Sequence, residues 1–442
     1  MVRTLAILAI LLTLCGCATA GPLSFSCDGF EQGNGTDRPF AQIPPPSKLE
    51  GEIHSGEAQA LALDPLNIYF DRYFERRVTA QSVRPEGWFL LSGGGQWGAF
   101  GAGFLNELHE RGELPRPVGI TGISTGALQA LVLGGAEGAE RSGRLQGVAS
   151  AYSSMLSAYA PPKESAIVNR HPFLLAIVTG SVAGLKPLRA LMNNVVCPDA
   201  DLSAGTPCLI DDLKALDMPV LIGFVNAHSG QFEYVDAVSI TQRAPSRKVA
   251  RECLVGAALA SSAMPVFLQQ VRIGGNTYYD GGVRESVFQA RIAAAAERAR
   301  LRRQSLDGTA TPPAAMPIYV IRNGPTREAA LGEEDSDPNK NADALTAAMR
   351  AEPIIVNQIE VGSIAALRLE DSEGEIRLIT ADGWNTATAC PMKPHGVMFD
   401  PTFMRCLQRL GRAKADVDRA KRWILLSPII PSTAPNSVTP SS

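Results

Sequence analysis

From residue 88 to about residue 430, short apolar runs alternate with longer stretches in which apolar positions recur every three to four residues. Residues 88–92 predict a strand that runs into glycines, and residues 98–111 a helix directly behind them. Residues 117–121 read as the next strand and 124–133 as the next helix, while 219–226 and 231–236 read as two strands around the turn His228-Ser229-Gly230. A further apolar run spans 249–263. Later, residues 290–303 predict an Ala/Arg helix, 317–322 a strand and 341–369 a long helical stretch. Strands that alternate with helices in this way predict an α/β domain with a mainly parallel central sheet flanked by helices. No internal repeat is evident.

The ends of the chain break this pattern. Arg3 followed by the apolar residues 4–14 reads as an export signal, too short to span a bilayer. It closes on Leu14-Cys15-Gly16-Cys17, which resembles a bacterial lipobox, so residues 1–16 are expected to be removed and Cys17 to be lipidated. The competing reading is an ordinary signal cut near Ala18 or Ala20. Ala18, where an Asp would retain a lipoprotein in the inner membrane, favours attachment to the outer membrane of the cell envelope. Residues 17–55, rich in Gly, Pro, Ser and Asn, read as a flexible tether. Asn34-Gly35-Thr36 matches a glycosylation acceptor and is taken as accidental on such a lipoprotein. Residues 428–442 read as a disordered Pro/Ser/Thr tail. This leaves a core at 88–292 and a C-terminal α/β extension packed on it at 293–427.

Composition changes the picture in two ways. A net charge of -3 with a pI near 6.0 lacks the basic excess of a nucleic-acid binder, so nucleic acid is not expected as a partner. Export to an oxidising compartment makes the cysteines after Cys17 candidates for disulfides before metal ligands, and none has zinc spacing. Cys197 with Cys208, and Cys390 with Cys406, could each close a modest surface loop. Cys27 and Cys253 are left over, and Cys253 reads as a small buried hydrophobe.

Three motifs carry chemistry. Gly122-Ile123-Ser124-Thr125-Gly126 lies between a predicted strand and helix, where flanking glycines permit a sharp turn that projects the serine hydroxyl. Chance also produces this pattern, so its strand-turn-helix setting gives it weight. Gly93-Gly94-Gly95-Gln96-Trp97-Gly98 also follows a strand and opens a helix, and bare backbone N–H groups there can approach an oxyanion. A dinucleotide-binding loop fits the same glycine spacing but needs an acid at the end of the next strand. Glu113 precedes that strand, so the oxyanion reading is preferred. Tyr278-Tyr279-Asp280-Gly281-Gly282 would pass for a turn aspartate if it stood alone. Its position after the other two motifs is what makes it a candidate base.

In this order the motifs resemble the patatin-like phospholipases, over about residues 88–292. Ala260-Ser261-Ser262-Ala263-Met264-Pro265-Val266-Phe267 resembles that family's helix and proline turn before the aspartate strand. The resemblance implies a three-layer fold and a serine-aspartate dyad without histidine, with Ser124 as nucleophile and Asp280 as base. It also implies oxyanion donors in the loop Gly93, Gly94, Gly95 and Gln96, with Gly98, Gly122, Gly126, Gly281 and Gly282 as motif glycines. Trp97 stands where the family often has Arg or Lys, and Ser286 and Phe288 where it often has Asn and Pro. The implied substrates are acyl esters of lipids, with no metal and no cofactor, and oligomeric state is left open. Desolvation beside Tyr278 and Tyr279 would raise the Asp280 pKa toward a useful base. The apolar residues 152–196 read equally as a lid or acyl pocket and as ordinary packing. Two alternatives stand beside the dyad. A Ser-Asp-His hydrolase would need His395, because His54, His109, His171 and His228 all precede Asp280. A non-catalytic envelope-binding lipoprotein would use the same domain without turnover.

Overall fold

The computed structural model describes residues 21–27, 40–42, 65–77, 84–171, 180–288, 292–327, 344–370, 374–386, 390–391 and 397–427. Its strands are β1 (Leu23–Phe25), β2 (Phe40–Gln42), β3 (Glu86–Leu91), β4 (Arg116–Ile123), β5 (Asn169–Arg170), β6 (Ser181–Gly184) and β7 (Val220–Asn226). They continue with β8 (Phe232–Asp236), β9 (Val266–Leu268), β10 (Val271–Ile273), β11 (Asn276–Asp280), β12 (Ile318–Ile321), β13 (Ile376–Ile379) and β14 (Ile424–Leu426). The large sheet runs β1-β10-β11-β7-β4-β3-β12-β13-β14, with β8 paired to β7 and β2 to β8, and β5, β6 and β9 form a separate small sheet. From β7 through β4, β3 and β12 to β13 every pairing is parallel. The antiparallel pairings lie toward the margins.

The sequence of the central strands explains why helices must cover both faces. In β3, Phe89 and Leu91 enter one buried cluster while Trp88 and Leu90 enter the other, and all four are at most 1% exposed. β12 alternates in the same way, with Tyr319 and Ile321 on one side and Ile318 and Val320 on the other. Such strands have no solvent face, as expected where helices flank a parallel sheet. One layer holds helices α1 (Pro65–Arg77), α10 (Ile292–Asp307) and α11 (Ala344–Glu370), through residues such as Phe70, Ala295 and Leu367. The other includes α2 (Gly98–Glu110), α3 (Thr125–Arg141), α4 (Leu145–Ala158), α9 (Arg247–Ser261) and α12 (Pro401–Ala415). The shorter helices Lys186–Val196, Asp199–Ala204, Leu209–Lys214 and Ala237–Arg243 are α5 to α8. This is the expected three-layer α/β arrangement.

The reading of residues 17–55 as a tether requires correction where the chain is described. Leu23–Phe25 pairs with β10 and Phe40–Gln42 with β8, so both pieces belong to the sheet. Leu23 and Phe25 are buried and Ser24 is exposed, a period of two too short to stand out against a polar background. Just beyond, Cys27 is joined to Cys253 on α9, so neither is left over and Cys253 is more than a small hydrophobe. Cys197–Cys208 and Cys390–Cys406 close the loops expected of them. Tyr152, Met155 and Tyr159 sit in the core, which favours ordinary packing there, while 172–179 lie outside the described residues.

Candidate functional site

Strand β7 acts as a ruler for the site. β8 occupies one edge of β7 from Leu221 to Val225, so β4 and β11 must share the opposite edge. β4 runs parallel to β7 and ends with Ile123 opposite Gly223, while β11 runs antiparallel and ends with Asp280 opposite Phe224. The two strands therefore arrive head to head at consecutive positions of one neighbour. Ser124 and Asp280, which are 156 positions apart in sequence, are brought together by this register.

The turn after β4 needs both of its glycines. A Cβ on Gly122 would fall on the Gly126 carbonyl, and one on Gly126 would fall on the Leu91 and Ser92 carbonyls of β3 and its exit. Ser124, between them, has φ 52° and ψ -122°, a conformation costly for a residue with a side chain, and its side chain is partly exposed. Ser261, at the end of α9, holds this strained residue. Its fully buried hydroxyl accepts the Ser124 N–H at 2.8 Å and donates to the Gly223 carbonyl at 2.6 Å. The sequence marks residues 260–267 only as a helix and proline turn, and nothing in the pair Ser261-Ser262 singles out this role.

Asp280 is 3% exposed. Its carboxylate accepts the Gly282 N–H at 2.7 Å, and the nearby Ser124 side chain also favours its ionised form. Burial outweighs both influences and pushes its pKa up to about 7. Tyr278, two residues earlier in β11, shares its face and packs edge-on against Phe224. Tyr279 turns to the opposite face, so it is not part of that desolvation.

The glycine loop leaves β3 beside the Ser124 turn. A Cβ on Gly93 would stand 3.6 Å from that of Ser124. The Gly93 N–H, however, donates to the Ser286 carbonyl at 3.0 Å and is not available to a ligand, which corrects its inclusion among the expected donors. Gly94 has φ 134° and Gly95 φ 55°, conformations that favour glycine. Among the described residues, the N–H groups of Gly94, Gly95 and Gln96 have no acceptor. Gln96 instead uses its side-chain oxygen to accept the Asp400 N–H at 3.1 Å. Trp97 lies edge-on to Trp384 and Phe403, so this departure from the Arg or Lys of the resembled loop is part of an aromatic cluster.

A hydroxyl beside a carboxyl group able to take its proton, next to open backbone donors, comprises the parts that acyl transfer requires. Gly281 and Gly282 form the turn after Asp280, and Gly98 opens α2 against Thr125 and Tyr159. His395 and Cys17 lie outside the described residues.

Residues 89–175 and 211–293 match the family model described as patatin-like phospholipase. The second segment contains Asp280 and the first contains both Ser124 and the glycine loop. The match implies lipid acyl hydrolase activity. No curated protein matches the chain. Among solved structures, VipD from Legionella pneumophila is similar at 12% identity and a TM-score of 0.31, over 76% of this chain and 68% of that one.

Proposed function

We propose that this patatin-like chain is a serine acyl-ester hydrolase of the phospholipase A or lysophospholipase type, with Ser124 as nucleophile and Asp280 as base. The observation that carries the reading is the register that brings Ser124 beside a buried carboxylate whose pKa is raised to about 7. An ordinary aspartate is too weak a base for a serine hydroxyl, and burial strengthens this one. As Ser124 Oγ bonds to the ester carbonyl carbon, its proton passes to Asp280. The carbonyl oxygen becomes an anion that the N–H groups of Gly94, Gly95 and Gln96 would bind, aided by the N-terminus of α3. Collapse breaks the bond to the alcohol, which takes the proton from Asp280. Water then attacks the acyl-serine, gives a proton to Asp280 and releases the acid, and Ser124 recovers its proton. A fluorophosphonate probe should label the purified protein and fail to label Ser124→Ala. Folded wild-type protein that resists labelling would turn the reading toward a binding domain.

On the sequence pattern we also propose export and lipidation at Cys17, with attachment to the outer membrane. Three disulfides among the described residues support an oxidising compartment. Labelled palmitate should enter the wild type and be absent from Cys17→Ala; equal incorporation would exclude the site.

A further inference from the structure

The segments matched by the family model end at residue 293, yet the floor of the glycine loop is built from beyond that point. Asn323 follows β12, which lies beside β3 with Ile321 opposite Leu91, and it is 1% exposed. Its backbone N–H donates to Ser92 Oγ at 2.8 Å, and that hydroxyl donates in turn to the Gly93 carbonyl at 2.8 Å. Its side-chain Nδ2 donates to the Ser92 carbonyl at 2.8 Å and to Gln129 Oε1 at 2.9 Å. Gln129 Nε2 returns a bond to Asn323 Oδ1 at 3.1 Å and holds the Gly98 carbonyl at 2.8 Å. The loop is thus gripped at its entrance, Ser92 and Gly93, and at its exit, Gly98, by one pair of buried amides.

The glycines of the loop and of α2 are cut to fit that pair. A Cβ on Gly94 would fall on the Asn323 carbonyl, and one on Gly101 would fall on Asn323 Oδ1 and crowd Gln129 Nε2. All four amide hydrogens of Asn323 and Gln129 side chains have acceptors, which leaves the pair no competing arrangement. What the clamp leaves open is the middle of the loop, the N–H groups of Gly94, Gly95 and Gln96.

Resting on the hydrolase reading above, we infer that Asn323 is a positioning residue that fixes those three N–H groups, and that the C-terminal extension is therefore a working part of the site. Asn323 does not touch substrate. It acts through Ser92, Gln129 and the Gly94 backbone, and its effect belongs to the step in which charge develops on the carbonyl oxygen.

The test compares wild type, Asn323→Ala and Asn323→Asp, the last keeping the shape while removing both Nδ2 donors. Hydrolysis of a p-nitrophenyl acyl ester should lose about 100-fold in kcat in both variants, with KM within about threefold of wild type. The midpoint of the pH-rate profile should stay in place, since Asp280 is untouched. Hydrogen exchange at the amides of residues 94–96 should accelerate in both variants. Should Asn323→Ala fold poorly, Gln129→Met removes the partner amide at similar volume and carries the same expectations. Retained kcat in Asn323→Asp, a loss expressed mainly in KM, or unchanged exchange at 94–96 would each overturn the inference. A wild-type protein that hydrolyses no ester would remove the hydrolase reading, and the exchange comparison would still decide whether Asn323 fixes the loop.

Discussion

Asp280 places opposite demands on stability and on chemistry. Its pKa is raised from 3.8 to about 7, so the folded protein keeps this proton to higher pH than the unfolded chain does. The contribution to stability is complete below about pH 4 and is lost as pH rises through about 7, a difference on the order of 4 kcal/mol. Asn in its place has no charge to bury. Asp280→Asn should therefore unfold at higher denaturant than wild type at pH 8 while losing ester hydrolysis. Equal midpoints at pH 8 would contradict a desolvated carboxylate. In the wild type, kcat/KM should rise with pH and level off above a midpoint near 7, because the base must be ionised. A profile flat between about pH 5 and about pH 9 would remove Asp280 from that role. Ser261→Ala leaves the Ser124 N–H and the Gly223 carbonyl without their partner in a buried place, at a cost of about 2 kcal/mol or more. Urea unfolding should register that loss, and kcat should fall with it. Ser124 and Asp280 were legible in the sequence because each sits in a glycine-flanked motif. The roles of Ser261, although its segment was recognised, and of Asn323 were not, since a single polar residue acquires its role only when distant strands bring a partner to it.

At the scale of elements, what was legible followed length and period. The predicted strand at 88–92 and helix at 98–111 correspond to Glu86–Leu91 and Gly98–Glu110, where the apolar pattern is long enough to fix the type. β4 runs two residues past its expected end at 121, to Ile123, because Gly122 continues the pairing with β3 and Ile123 continues the pairing with β7. The following helix begins at Thr125 and reaches Arg141, well beyond the expected 133, on small residues that carry little periodicity. Short strands such as β1 and β14 hold three residues each and offer no pattern to read. The junction of β3 with the Ser124 turn gives a test of close packing. Gly126→Ala would put a methyl on the Leu91 and Ser92 carbonyls, and relief requires β3 and α3 to separate. We expect kcat to drop about 100-fold, as a displacement near 1 Å can cause. Gly143→Ala is the counterpart, with φ 68° but open space around it, so only backbone strain of about 1 kcal/mol is at stake and kcat should hold. If the two variants lose activity alike, room at the β3–α3 junction is not what the motif glycine provides.

The whole molecule depends on where the N-terminal segment is fastened. Six cysteines after Cys17 allow fifteen pairings, and spacing favours only those that close short loops, so Cys27–Cys253 was not legible. Its chain separation is 226 residues, against 11 and 16 for the other two bridges. In the chain-entropy account a loop that long restricts the unfolded state by about 5 kcal/mol, against about 3 kcal/mol for each short loop. The same bridge anchors β1, whose partner β10 is joined by a hairpin to β11 and so to Asp280. It also ends on α9, the helix that carries Ser261. Removing it should therefore weaken both the fold and the site. Cys27→Ser with Cys253→Ser should lower the thermal midpoint more than the paired Ser variants of Cys197 and Cys208 or of Cys390 and Cys406. Limited proteolysis should then cut near β1 while the other variants resist there. The loss of kcat should be larger than in either short-loop variant, since only this bridge shares a helix with Ser261. A ranking in which a short-loop bridge matters most would mean that native contacts of β1 and α9, rather than the covalent link, hold the N-terminal segment on the sheet.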